Sequence, residues 1–359
     1  MEKINIVAPI GYTGYGVVGR NLTYNLAKLG YNVSLFPIGD KIECSQVEQP
    51  LLLKSCDNRH NFDSRSPSLK IWHQNDLAMF PGSPRIAYTF FELDELKPEE
   101  VHHLKQCDKV IVACDWARRI CLKYGIQANI LPCGVSEVFH HVQYKPNPKC
   151  VFLNVGKWEV RKGHLELAKS FKQLLSETNN DVELWMMSEN RFYRNGENEW
   201  WKNYYREHCG RNVKFINWVP QDSDVAEIMN KSNIGVFPSK AEAWNLELLE
   251  MMACGKQVIC TDYSGHTEFA NSQNSILLPI RGMETSIDAC DVHPNGFWFN
   301  GFGKWATINV DDLTESMYRG YQRWLSDPNC RNFDGEDTAD KYSWKNITNT
   351  LTEIIWKRN

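Results

Sequence analysis

The sequence predicts an α/β fold made of two Rossmann-like, doubly wound domains, and three observations carry that prediction. Its 359 residues suit two domains, each large enough for its own core. Short β-branched runs alternate with stretches whose apolar residues recur at helical spacing, the order that builds parallel βαβ units. Glycine-bearing loops stand where a strand gives way to a helix, once at Gly11 to Gly19 and again at Gly156 to Gly163.

Composition narrows the class of protein. Apolar residues make up 42% and charged residues 23%, as in soluble globular chains. A net charge of −4 leaves no broad basic footprint for nucleic acid, although a local patch stays open. No apolar run approaches the roughly 18 residues a membrane-spanning helix needs. The first residues, Met1 to Ala8, enter a strand directly, with no signal-peptide core, so a cytoplasmic protein is expected. Peripheral contact with the cytosolic membrane face is left open. The twelve cysteines form no C-x2-C pair and read as reduced, mostly buried small hydrophobes, implying neither disulfides nor zinc.

In chain order, Lys3 to Ala8 is the first strand. Val18, Leu22, Leu26 and Leu29 share one helix face, Gly30 stops that helix, and Tyr31 to Phe36 is the second strand. Gly14, Gly16 and Gly19 satisfy G-x-G-x-x-G between strand and helix, with Asp40 available as a ribose acid, so a nicotinamide enzyme is one alternative. Glycines there equally let backbone approach any bulky polar ligand. Residues 41–68 read as a polar, irregular excursion. Ser68 to His73 is a strand ending in His73, which suits either substrate contact or a structural hydrogen bond. Arg85 to Phe91 leads into Glu92, Asp108 to Ala113 is followed by a helix after Asp115, and Ile130 to Ser136 closes the half. Pro146 and Pro148 favour an extended linker from Gln143 to Lys149.

The second half begins with the strand Cys150 to Val155. Lys157 and Lys162 flank a loop that runs into a helix marked by Leu165, Ala168, Phe171 and Leu174, and an anion is expected between them; solvated loop charges are the alternative. Arg161 stands beside them. Val182 to Met187 is a strand, the aromatic-rich 188–209 a partly helical insertion, and Val213 to Val219 another strand. Asp222 and Asp224 spell D-x-D but fall where they would cap a helix, so no metal is expected. Ile234 to Phe237, a helix carrying Leu246, Leu249, Met252 and Ala253, Gly255 as its stop, and Gln257 to Thr261 form a compact βαβ unit. Within it Glu242 and Glu250 stand eight apart and can face one ligand. Carboxylates grip neighbouring sugar hydroxyls, while the amides of Ala243 to Leu246 open a helix N-terminus suited to phosphate. Together these describe a nucleotide-sugar site. Residues 281–304 form a glycine-rich aromatic loop, Asn309 to Leu325 a helix, and Asp340 to Ile355 a final helix.

The run Glu242-Ala-Trp-Asn-Leu-Glu-Leu-Leu-Glu250 resembles the E-x7-E signature of retaining glycosyltransferases of family 4, usually E-G-F-G-L-P-x-L-E, which have the GT-B fold. Both acids are kept, while the glycines and proline are replaced. Gly156 to Gly163 resembles the V-G-R-x4-K-G segment of that family, with lysine for arginine, and Pro132 to Ser136 resembles its P-x-G-V-D turn.

The resemblance implies two Rossmann-like domains facing across a cleft: 1–148 on the acceptor side, with a C-terminal helix 336–359 crossing back to it, and 149–335 as donor domain. It implies a hexosyltransferase moving a hexose from a UDP- or GDP-sugar to a hydroxyl, with retention, in glycan or polysaccharide synthesis. Glu242, Lys157 and Lys162 would be catalytic, and Lys157, Lys162, Gly14, Gly16, Asn245 and Leu246 would hold the diphosphate. Glu250 would take the ribose, Glu242, Ala243 and Trp244 the donor sugar, and the chain at Trp218 and Val219 the nucleobase. Tyr15, His73 and Glu92 are the acceptor candidates; Phe90, Phe91 and Glu92 occupy the region where many members carry a histidine. No metal or cofactor is expected, and the partners would be a nucleoside-diphosphate sugar and a glycan, lipid-linked or other hydroxyl acceptor. A sugar-nucleotide epimerase, a phosphorylase and a catalytically silent sugar-binding partner are the rivals on the same fold.

Overall fold

A computed structural model of the protein describes residues 2–194 and 196–356; the side chain of Asp40, weighed above as a ribose acid, lies outside the described part. The chain divides into two compact units, one comprising residues 2–91, 96–136 and 341–356, the other 92–95 and 137–340.

The first unit contains β1 (Lys3–Ile10), α1 (Gly14–Lys28), β2 (Asn32–Ile42), α2 (Gln49–Asn58), β3 (Ser68–Ile71), β4 (Arg85–Tyr88), α3 (Pro98–Lys105), β5 (Lys109–Val112), α4 (Asp115–Lys123) and β6 (Ala128–Ile130). Its strands pair in parallel in the order β2-β1-β3-β4-β5-β6, which puts a topological switch point between β1 and β3. Two expectations fail here. Residues 41–68 contain α2: Pro50 sits in its first turn, where a missing N–H costs nothing, and only Leu52 and Ser55 turn inward, so the hydrophobic signal is thin. Leu29 lies past the end of α1 and is 45% exposed, whereas Val18, Leu22 and Leu26 are buried.

The second unit contains β7 (Cys150–Gly156), α5 (His164–Glu177), β8 (Val182–Ser188), α6 (Glu197–Cys209), β9 (Val213–Phe215), α7 (Asp222–Lys231), β10 (Ile234–Phe237), α8 (Leu246–Ala253), β11 (Gln257–Thr261), β12 (Ile276–Leu278), β13 (Met283–Ile287), β14 (Asn300–Ala306), α9 (Val310–Ser326) and α10 (Phe333–Lys341). Read from β9, the sheet order is β9-β8-β7-β10-β11-β12, all parallel, the 3-2-1-4-5-6 winding of a dinucleotide fold with its switch point between β7 and β10. α6 is the helical part of the aromatic insertion, and its Trp201 stacks on Trp158 at 5.7 Å, both wholly buried. Each such ring contributes roughly 4–6 kcal/mol of apolar burial as an upper bound.

The stretch 281–304, expected as a loop, is instead an antiparallel hairpin of β13 and β14. Its far end is tied by Asp288, whose carboxylate accepts the amide N–H groups of Phe297, Trp298 and Phe299 at 2.7, 2.9 and 3.0 Å. The expected single C-terminal helix is two, α10 and then α11 (Trp344–Trp356). Between them Ser343 bridges to Val135, and α11 belongs to the first unit, where Trp356 stacks on Tyr31 at 4.8 Å. All twelve cysteines are free thiols, most of them buried.

Candidate functional site

At the switch point of the second unit, the loops after β7 and β10 lie directly on one another. Gly163 has a left-handed φ of 71°, and a Cβ there would fall 2.0 Å from the Pro238 carbonyl oxygen, so only glycine permits the contact. Around it the Lys240 amide donates to the Arg161 carbonyl at 2.7 Å, and Arg161 Nη1 donates to the Ala241 carbonyl at 2.6 Å. Backbone, not only side chains, thus fixes the position of the charges.

Those charges form one network, buried except at Lys157. Glu242, only 5% exposed, receives Arg161 Nη1 at 3.0 Å and Lys162 Nζ at 2.9 Å, and the Ser239 hydroxyl donates to it at 2.8 Å. Glu159, equally buried, takes Arg161 Nη2 and Lys157 Nζ, each at 2.7 Å. Burial opposes the charge on both carboxylates, but the flanking cations outweigh it. Glu159 is lowered to about 2, and Glu242 is held well below the usual carboxylate range by Arg161 and Lys162. Burial, and then the Lys162 charge, push His164 down to about 3. It is therefore a neutral imidazole whose Nε2–H donates to Asn154 Oδ1 at 3.0 Å, leaving Nδ1 to accept the Glu159 amide.

The helix that follows begins on an unusual residue. Asn245, where the resembled signature has glycine, takes φ 85°, and its side chain accepts the Leu248 amide at 3.2 Å as the N-cap of α8. Asparagine is among the few side-chain-bearing residues that visit the left-handed region, so the lost glycine leaves the turn intact. Ser264 accepts the Glu242 amide at 2.8 Å, and Gly265 donates to the Glu242 carbonyl at 2.8 Å. Glu250 lies one turn into α8, half-buried, and Glu247 in its first turn reaches Lys162 at 4.0 Å.

Of the residues singled out from sequence, the structure brings Glu242 and Lys162 into direct contact, and Lys157 joins them through Glu159 and Arg161. Lys157 is also 5.8 Å from the rings of both Phe192 and Trp298. Ala243 and Trp244 are buried, Trp244 against Phe269 at 4.8 Å, so their side chains serve the loop's own packing. β9 stops at Phe215, earlier than expected, leaving Trp218 and Val219 in a loop where the Arg191 guanidinium covers the Trp218 ring at 3.6 Å. Asp222 and Asp224 stand in the first turn of α7, but Gln221 is the N-cap, so they complement the helix dipole without capping it. Glu92 belongs to the second unit and is one of the charges acting on Arg161. Among the described residues no three His, Cys, Asp or Glu side chains group as metal ligands.

The first unit carries its own cluster at its switch point. A Cβ on Gly16 would lie 2.9 Å from the Gly11 amide nitrogen and one on Gly19 2.2 Å from the Pro9 carbonyl, whereas Gly14 has open space. Tyr15 donates to the Phe90 carbonyl at 2.9 Å and lies 4.7 Å from the His73 ring, so two acceptor candidates share one aromatic group. Beside the loop is a cavity of about 370 Å³ bordered by Gly11, Thr13, Gly16 and Glu43.

Sequence reasoning passed over Glu159, the partner of two cations, and Lys240, buried between Glu166 at 3.0 Å and Glu284 at 2.6 Å. Glu159 had a signal: a lone acid inside a short loop with three cations needs a local structural reason. Lys240 had none, because Glu284 is brought in by a hairpin the pattern did not predict.

Taken with this geometry, comparison of the whole structure defines the fold as that of GT-B glycosyltransferases. Sucrose-phosphate synthase of Thermosynechococcus elongatus superposes with a TM-score of 0.69 at 16% identity, over 99% of this chain and 98% of that one. A glycosyltransferase of Rickettsia africae gives 0.69 at 16%, over 99% and 97%, and Anabaena HepE, solved with UDP and glucose, gives 0.64 at 14%, over the full length of both. Residues 149–291, which hold the charge network, match the family described as "Glycosyl transferases group 1". No curated protein matches the sequence. The matched segment and the fold together support a GT-B glycosyltransferase.

Proposed function

We propose that the protein is a retaining hexosyltransferase that uses a UDP- or GDP-sugar and a hydroxyl acceptor, in glycan or polysaccharide synthesis. The observation that carries this reading is the buried set Glu159, Arg161, Lys162 and Glu242 with the half-exposed Lys157, held at the switch point where doubly wound sheets bind their ligands. Lys157 and Lys162 each carry three donors, more than their carboxylate partners take up, so donors remain for a diphosphate. The α8 N-terminus at Asn245 and Leu246 adds amide donors, and HepE, with the same fold, binds UDP and glucose.

In this reading Glu242 orients the donor sugar and Glu250 the ribose, while Lys157 and Lys162 stabilise charge on the departing diphosphate. Stabilisation of that kind is worth on the order of 3 kcal/mol per well-placed donor. Gly14 and Gly16 serve the diphosphate, and Tyr15, His73 and Glu92 the acceptor. The glycosidic carbon–oxygen bond breaks toward the diphosphate, the acceptor oxygen bonds on the same face, and its proton leaves with the diphosphate. No metal or cofactor takes part.

The test is a thermal-shift screen of UDP- and GDP-sugars, followed by NMR of the product anomer. A true donor at a hundred times its dissociation constant adds about 2.7 kcal/mol of stability. Lys162→Met should abolish that shift. A screen in which no nucleotide sugar stabilises the protein, or a product of inverted configuration, overturns the reading.

A further inference from the structure

We propose a second ligand site, at the end of the second unit's sheet where its strands begin, opposite the charge network, that takes a small hydroxylated phosphate ester as an effector. A cavity of about 350 Å³ lies there, beside the first residues of β10 and β11, Ile234 and Gln257. The charge network follows the last residues of β7 and β10, so at about 3.3 Å per residue the two places are some 15 Å apart. The proposal stands independently of the transferase reading.

Charge points to an anion. Lys145, Lys231, Lys256 and Arg331 border the cavity, against Asp327 as the one acidic neighbour in its wall. Lys231 is paired with Glu227 and Arg331 with Glu336. Lys256 is different: partly buried, it donates to the Asn230 carbonyl at 2.7 Å and has no carboxylate partner among the described residues. An ammonium group carries three donors, so two remain for a ligand. Burial without a counter-charge lowers its pKa, the strain a bound anion would relieve.

Size and wall chemistry point to an ester over free phosphate. The volume exceeds what one phosphate fills, and the uncharged wall is rich in amides, with Gln143, Asn147, Asn233 and Asn329 suited to hydroxyl groups. Gln257 and Trp324, also in the wall, each hold a buried polar atom with no hydrogen-bond partner.

Isothermal titration of the full chain with glycerol 3-phosphate and with inorganic phosphate tests the site. The ester should bind once per chain and about tenfold more tightly than phosphate. Its affinity should fall about tenfold in Lys256→Met and about threefold in Lys145→Ala, as loss of one partly screened charge implies, and be unchanged in Lys162→Met. Melting curves establish that each variant is folded; Lys145 is exposed, so Lys145→Ala decides the matter if Lys256→Met does not fold. Absence of binding, equal affinity for both anions, or loss confined to Lys162→Met overturns the proposal.

Discussion

Replacing Glu159 with glutamine should destabilise the protein by an amount that depends on pH in a calculable way. The carboxylate titrates at about 2 in the folded chain against an ordinary 4.5. That depression of some 2.5 units corresponds to about 3 kcal/mol at pH 7. Because the folded value is the lower one, the contribution is complete above 4.5 and is lost as pH falls toward 2. By about pH 3 the linkage relation leaves roughly 1 kcal/mol. Glu242 is present in both proteins and largely cancels. Urea unfolding followed by tryptophan fluorescence should therefore show Glu159→Gln less stable by about 3 kcal/mol at neutral pH, with the gap narrowing to about 1 in acid. A gap that is flat with pH, or a variant more stable than the parent, refutes the claim that Lys157 and Arg161 hold this group ionised.

Three further substitutions probe the same unit. Gly163→Ala forces a side chain into a left-handed position against the Pro238 carbonyl; the backbone term alone is about 1–2 kcal/mol, and a lower melting temperature should accompany weaker nucleotide-sugar binding. Trp201→Ala removes one of two stacked, wholly buried indoles and should cost about 3–5 kcal/mol in chemical unfolding. Asn245→Gly should be nearly neutral in thermal melting, whereas Asn245→Val loses the N-cap, worth about 0.5–2 kcal/mol, and adds a β-branched residue at positive φ.

Most strands and helices of the two units were legible because their apolar periodicity is strong, and Gln257–Thr261 is recovered to the residue, whereas α3 and the three-residue β12 are too short to show a period. α2 was hidden because a largely exposed helix has little hydrophobic pattern, and the β13–β14 hairpin because its glycines and aromatics mask alternation. In the site, Lys162 and Glu242 could be paired from sequence only through a resemblance, since eighty residues separate them. What links them is the Gly163–Pro238 approach, a tertiary contact that periodicity does not encode. Trp244 entered the donor-sugar set through the resemblance alone; the packing of its ring on Phe269, twenty-five residues on, is a tertiary contact that the local sequence does not encode.

The seating of Gly163 on Pro238, with the Arg161 and Lys240 backbone bonds beside it, welds two segments of distant sequence into one mechanical part. Its cations cannot be retuned by reshaping one segment alone, because lengthening either would lift guanidinium and carboxylate out of register together. Engineering of ligand preference therefore has more freedom around Arg191 and Trp218, whose stacking contact lies outside that joint.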